Sequence, residues 1–229
     1  MHFTFVGNID VNKFKPLAET YLASLPSSQK ENKFTDEGMR PVKGVVETTV
    51  AKGAAKQSMV NIIFTGENGV AESDALKINM LAEVLNIKII EQLREEMSGI
   101  YGGGSSGSIA KRPYKNYTFS IRFPCGPENV EKLNKALFEI LNTIQTKGIE
   151  QKDLDKVKET LKKQNEDAMK ENDYWLESLT STWINNENPL KILDFAKRVD
   201  ALTVKDIQDA ANKYWNMKNY IKAVLNPEK

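Results

Sequence analysis

Apolar positions along this chain change period in blocks, and each block predicts an element. Residues 3–6 (Phe-Thr-Phe-Val) read as a strand. Asp10 then caps a helix whose stripe is Phe14, Leu17, Ala18, Tyr21 and Leu22. From Ser27 to Lys43 the chain is polar and aperiodic, with Gly38 and Pro41 inside it, which is the pattern of a linker. Two β-branched runs follow, residues 45–50 and 58–65, closed by Gly66 and expected to form an antiparallel pair. Ser73 is placed to open a long helix carrying Leu76, Met80, Leu81, Val84, Leu85, Ile89, Ile90 and Leu93 at helical spacing. Residues 101–109 and 117–123 read as strands, the second alternating Phe119, Ile121 and Phe123 with Thr118, Ser120 and Arg122.

The rest is mainly helical. Val130, Leu133, Leu137, Ile140, Leu141 and Ile144 form one stripe that Gly148 ends, and Leu154, Val157, Leu161 and Ala168 form the next, with Lys and Glu opposite. Trp175, Leu176, Leu179 and Trp183 continue helically to the Asn185–Pro189 break, and a short helix is expected over residues 190–199. Thr203 and Asp206 make an acidic variant of the capping box before another helix, and residues 220–225 return as a strand. Strands gathered around one helix, then a run of helices, then a last strand, predict an α+β fold: an antiparallel or mixed sheet with helices packed on one face.

A lone strand and helix bury little, so residues 1–25 read as the end of a preceding domain, 26–44 as a linker and 45–229 as the main unit. Composition narrows the function classes. Of 229 residues, 40% are hydrophobic and 28% charged, with 32 basic against 31 acidic, so net charge points to no nucleic-acid partner. No apolar run reaches the ~18 residues of a membrane span. The single cysteine, Cys125, excludes an intramolecular disulfide and reads as a small core hydrophobe rather than a reactive thiol.

The segment Leu-Arg-Glu-Glu-Met-Ser-Gly-Ile-Tyr, residues 93–101, carries the most chemistry. Arg94 and Tyr101 stand seven apart across a helix end, and a cation and a phenol at such a corner can hold a peptide carbonyl and its developing oxyanion. Two structural readings stand beside this. Arg94 suits the negative end of a helix dipole, and Tyr101 suits a strand with its ring in the core. Glu95 and Glu96 are adjacent on a helix, point about 100° apart and read as a solvated face rather than a metal pair. Ser98 has no histidine base and no Gly-x-Ser-x-Gly elbow. The Gly102, Gly103, Gly104 run lacks the Gly-Lys-Ser/Thr of a phosphate loop; it suits close approach of another backbone, or a bulged strand with no ligand. Arg112, Tyr114 and Tyr117 form a basic-aromatic cluster near a turn, and Trp175 and Trp183 share a helical face that reads as core.

Residues 93–104, with Arg-Pro-Tyr at 112–114, Phe-Pro-Cys-Gly-Pro-Glu-Asn at 123–129, Lys-Glu-Asn at 170–172, Tyr-Trp-Leu at 174–176 and the final Asn-Pro-Glu-Lys, resemble the C-terminal half of M16 (pitrilysin/insulinase-type) zinc endopeptidases. The likeness covers essentially the whole chain and is nearest to long single-chain bacterial members, whose four homologous domains fold as two halves around a chamber. It implies a LuxS/MPP-like metallohydrolase domain. The family binds zinc through His-x-x-Glu-His and a distant Glu, whereas this chain has one histidine, His2. The resemblance therefore implies no metal ligands in this chain, zinc elsewhere in the full-length protein, and inactivity of the isolated chain. It implies that Arg94 and Tyr101 reach across to the zinc-bearing N-terminal half of the same protein, or to a separate M16 subunit. Gly102, Gly103, Gly104, Arg112 and Tyr114 would bind peptide substrate, and a Gram-negative source would imply the periplasm or envelope. The alternative is a non-catalytic partner subunit or scaffold of a two-chain complex.

Overall fold

The computed structural model describes residues 2–26, 35–67 and 74–228. Its strands are β1 (Val45–Ala51), β2 (Ser58–Glu67), β3 (Gly104–Ala110), β4 (Asn116–Cys125) and β5 (Tyr220–Asn226). The helices are α1 (Val11–Ala18), α2 (Asp74–Lys88), α3 (Val130–Lys147), α4 (Gln151–Ala168), α5 (Asn172–Ile184), α6 (Phe195–Asp200) and α7 (Val204–Tyr214). Packing divides the chain into two compact units, Met1–Thr35 with Lys162–Ala196, and Asp36–Leu161 with Lys197–Lys229.

The second unit holds a mixed five-stranded sheet in the order β1-β5-β2-β4-β3, with helices gathered on one face, as the α+β reading expects. One expectation fails: β1 and β2 do not pair with each other. The last strand, β5, lies between them, parallel to β1 and antiparallel to β2. A connection as short as β1 to β2 favours a hairpin, but β5 joins both flanking edges at once and so satisfies two rows of backbone groups. Alternation along the central strands sets the two faces. Val60, Ile62 and Phe64 of β2 and Phe119, Ile121 and Phe123 of β4 are fully buried under the helices. Their neighbours Asn61, Thr118 and Ser120 face the other way, and Arg122 there is exposed.

Helix α2 buries Leu76, Ile78, Met80, Leu81, Ala82, Val84 and Leu85, because it packs both on β3 and against α7. A buried asparagine in α3, Asn134, is only 4% exposed, and neither amide atom finds a hydrogen-bond partner among the described residues. Such a group costs about 1–3 kcal/mol. Asn134→Leu is therefore expected to raise the thermal midpoint by about 2–4 °C for each kcal/mol recovered, as followed by calorimetry. The predicted α3 stripe is buried throughout, and the Gly148 N–H closes its end on Ile144 O at 3.0 Å. Cys125 is buried, which raises its thiol pKa, helped by the charge of Glu128, and fits the core reading.

Two ion pairs join α2 to α7: Lys77 to Asp206 at 2.7 Å and Lys213 to Asp74 at 2.9 Å. Asp206 also completes the predicted capping box with Thr203. The Lys77 hydrogen bond, followed by that of the Thr203 hydroxyl, lowers the Asp206 pKa from 3.8 to about 2. A depressed carboxylate pKa stabilises the fold above the unfolded value, and that contribution disappears as pH falls through the folded one. Acid unfolding should thus steepen between 3.8 and about 2. Melting curves of Asp206→Asn over that range should be flatter than those of the parent.

In the first unit, Asp10 caps α1 by accepting from the N–H groups of Asn12 and Lys13. The strand expected at residues 3–6 does not form, since this segment has no ladder partner among the described residues and a strand is stable only when its backbone groups are paired. Phe3, Phe5, Leu17 and Tyr21 remain exposed, although Phe5 meets Phe14 edge-on at 4.8 Å. The core reading of the tryptophans is also corrected: Trp183 is 58% exposed and stacks on His2 at 3.8 Å. Trp175 is half-buried, its Nε1–H donating to Met169 O at 2.8 Å. Ser73 and residues 27–34 of the expected linker lie outside the described residues.

Candidate functional site

The Arg94–Tyr101 corner is formed by a change in winding. Past Lys88 the helix widens to i→i+5 hydrogen bonding over Ile89–Glu96, which keeps Ile89 and Leu93 fully buried but turns Ile90 outward. Ser98 takes a left-handed φ of 49°, and the Gly99 N–H then donates back to Leu93 O at 2.9 Å. Gly99 sits where a Cβ would lie 2.5 Å from Cδ2 of the buried Leu133. Ile100 bridges Cys125 at the end of β4. The Gly99-to-Leu93 bond, with the Met97 N–H donating to Gln92 O at 3.1 Å, thus closes the chain on itself, with Arg94 next to Leu93 and Tyr101 two beyond Gly99.

Tyr101 lies before β3 rather than inside a strand and is 80% exposed, so the core reading of this residue is overturned. Arg94 is exposed in the last turn of the widened helix. Among the described residues neither side chain makes a hydrogen bond or ion pair. Glu95 and Glu96 are exposed beside them.

The three glycines that follow have different surroundings. Gly103 has a φ of 135°, and a Cβ there would lie 2.7 Å from Arg122 O, so β4 itself makes the close approach. Gly104 faces Asn86, whose Oδ1 accepts from the Ser105 N–H at 2.6 Å, whereas nothing lies within 4 Å of a Cβ at Gly102. β3 is an edge strand whose only partner among the described residues is β4.

Arg112 is exposed in the β3–β4 turn, and Tyr114 is half-buried. Tyr114 is not grouped with the glycines. Its ring lies under the Arg40 guanidinium at 3.5 Å, and Asp36 accepts from both terminal nitrogens of Arg40 at 2.9 and 2.7 Å. The Gly44 N–H donates to Asn219 Oδ1 at 2.8 Å. Residues 36–44, expected to be linker, are thus tied to the end of the sheet. Polar composition concealed this; the available signal was an arginine four residues after an aspartate in a stretch with few other anchors.

A zinc site does not fit the described residues. Among those described, no three His, Cys, Asp or Glu side chains come together, and His2 is engaged by Trp183 and Thr4.

Known proteins agree with this architecture. Residues 1–161 match the family model described as the peptidase M16 inactive domain. The chain is 27% identical over 188 residues to a zinc protease PQQL-like protein of Arabidopsis thaliana, covering 76% of this chain and 20% of that one. It is 29% identical over 152 residues to a probable zinc protease PqqL of Haemophilus influenzae, covering 65% and 16%. The crystal structure of the periplasmic protease PqqL from Escherichia coli superposes with a TM-score of 0.80 at 18% identity, over 97% of this chain and 25% of that one. An exposed Arg–Tyr corner on a helix-covered mixed sheet is thus found in a chain that belongs to the peptidase M16 family. Within that family it is the inactive C-terminal domain of zinc-protease-like proteins, and it spans about a fifth of the length of the curated relatives it matches.

Proposed function

We propose that this chain is the metal-free C-terminal part of a longer zinc-dependent endopeptidase, that it helps enclose a peptide substrate, and that it supplies Arg94 and Tyr101 to an active site whose metal is held by the N-terminal half. The observation that carries this reading is the exposure of both side chains, without partners among the described residues, on either side of one closed turn. Burying neither an arginine nor a tyrosine there leaves a cation and a phenol free for a ligand, and a donor directed at a forming oxyanion can contribute about 2.7–4 kcal/mol in a water-excluded site. Past Ser105, whose N–H is taken by Asn86, the outer edge of β3 can pair with an extended peptide by main-chain hydrogen bonds. The open sheet face, with Ser106, Ser120 and Arg122, gives a polar wall. On this reading residues 1–25 complete a preceding domain of the same protein, and the location is periplasmic, as stated for the E. coli relative.

Complementation tests the reading. With zinc present, this chain and the remainder of the protein should each fail to cleave a labelled peptide, and mixing them should restore cleavage. Cleavage by this chain alone, or full activity in the remainder alone, would refute it.

A further inference from the structure

We infer that the pocket at the end of the sheet is a binding site for an acidic peptide segment, separate from the Arg94–Tyr101 corner. The pocket has a volume of about 600 Å³ and forms where residues 40–43, the end of β2, the start of β4 and the α7–β5 loop converge. The half-buried Tyr114, stacked under Arg40, and the nearly buried Tyr117, 6% exposed, line it, and Arg40, Lys43, Lys213 and Lys218 line it against one acid, Glu67.

The four cations are not equivalent. Arg40 is held by Asp36 and stacked on Tyr114, and Lys213 is held by Asp74, so these two act as wall. Lys43 and Lys218 are exposed and form no ion pair among the described residues. They enter from segments far apart in sequence, one before β1 and one before β5, and the docking of residues 36–44 is what brings Lys43 to the pocket. A tyrosine-lined concavity with a few placed charges has the anatomy of a ligand site, and its volume lies within the usual ~300–1,000 Å³. A single phosphate or carboxylate would occupy a small part of that space. Two separate lysines flanking tyrosine rings suit a longer ligand with spaced carboxylates and apolar stems between them. Gly66 lets the Tyr117 ring pack directly on β2: a Cβ there would lie 2.5 Å from that ring. That the acidic segment belongs to a substrate rests on the function proposed above; the binding itself does not.

The test uses this chain and fluorescein-labelled hexapeptides of glutamate, of lysine, and of alternating glycine and serine, read by fluorescence anisotropy. The glutamate peptide should bind, more weakly as NaCl is raised, and the other two should not. Lys43→Glu with Lys218→Glu should weaken binding at least tenfold. Lys52→Glu with Lys56→Glu, which makes the same charge change in the β1–β2 loop at the opposite end of β2, should alter it less than twofold. Equal loss in both double variants, or no loss in the first, overturns the site. Displacement by inorganic phosphate or free glutamate at concentrations matching the peptide's own affinity overturns the peptide in favour of a small anion. Because no cleavage is measured, failure here is distinct from failure of the complementation between halves.

Discussion

Arg94→Ala and Tyr101→Phe, each made in the full-length protein, are expected to lower kcat/KM for peptide cleavage at least tenfold, a loss of about 1.4 kcal/mol of transition-state stabilisation. The loss should fall mainly on kcat, because a donor that meets the developing oxyanion stabilises the transition state more than the bound peptide. Stability should hardly change. Both side chains are exposed and unpartnered among the described residues, so their removal takes away no packing or ion pair. Tyr101→Phe is the sharper of the two variants, since it deletes only the hydroxyl. Steady-state kinetics alongside urea unfolding decide the matter: unchanged kcat/KM in both variants would make the corner a wall of the chamber rather than part of its chemistry.

The largest loss of stability is expected from Asp153→Ala. Asp153 is 2% exposed in α4 and lies 2.8 Å from the ammonium of Lys88, at the end of α2, which Glu91 also contacts at 2.9 Å. Burial alone would lower the Lys88 pKa, but its close contacts with the Asp153 and then the Glu91 carboxylates outweigh it and hold it above 10.5. Removing one partner of a buried pair leaves the other charge uncompensated and costs about 3–5 kcal/mol. Glu91 remains beside Lys88, which puts the expected loss near the lower end, about 3 kcal/mol, read from the urea midpoint at neutral pH. The double variant Lys88→Met with Asp153→Leu should recover most of it, because apolar residues of similar volume can replace a buried pair at little cost. If the single variant is neutral, the pair carries no net stability. A raised lysine pKa also has a definite sign: this contribution is fully present below the unfolded value of 10.5 and is lost as pH rises through the folded one.

Some features follow from residues only a few positions apart. The burial of Phe119, Ile121 and Phe123 follows from two-residue alternation, and the α3 stripe from helical spacing. The Asp10 cap, the Thr203–Asp206 box and the Gly148 stop are hydrogen bonds spanning two to four residues. These were legible because the groups that satisfy each other lie within the same segment. The backbone turn between Arg94 and Tyr101 is likewise local, closed by a bond between residues 93 and 99.

What tertiary structure alone decided involves partners distant in sequence. β5 lies between β1 and β2, a choice set by which edges compete for its backbone groups and not by any residue in the β1–β2 turn. Residues 3–6 have strand composition but no ladder among the described residues, so propensity without a partner yields no strand. Arg40 reaches Tyr114 across more than seventy residues, turning a stretch that reads as linker into the wall of a pocket. The exposure of Tyr101 depends on the widened turn and left-handed Ser98 that end the helix before β3 begins, where apolar periodicity alone extended the strand back to include it. Sequence period specifies which face of an element is apolar. The neighbour that covers that face, or leaves it open, is selected by long-range pairing and packing.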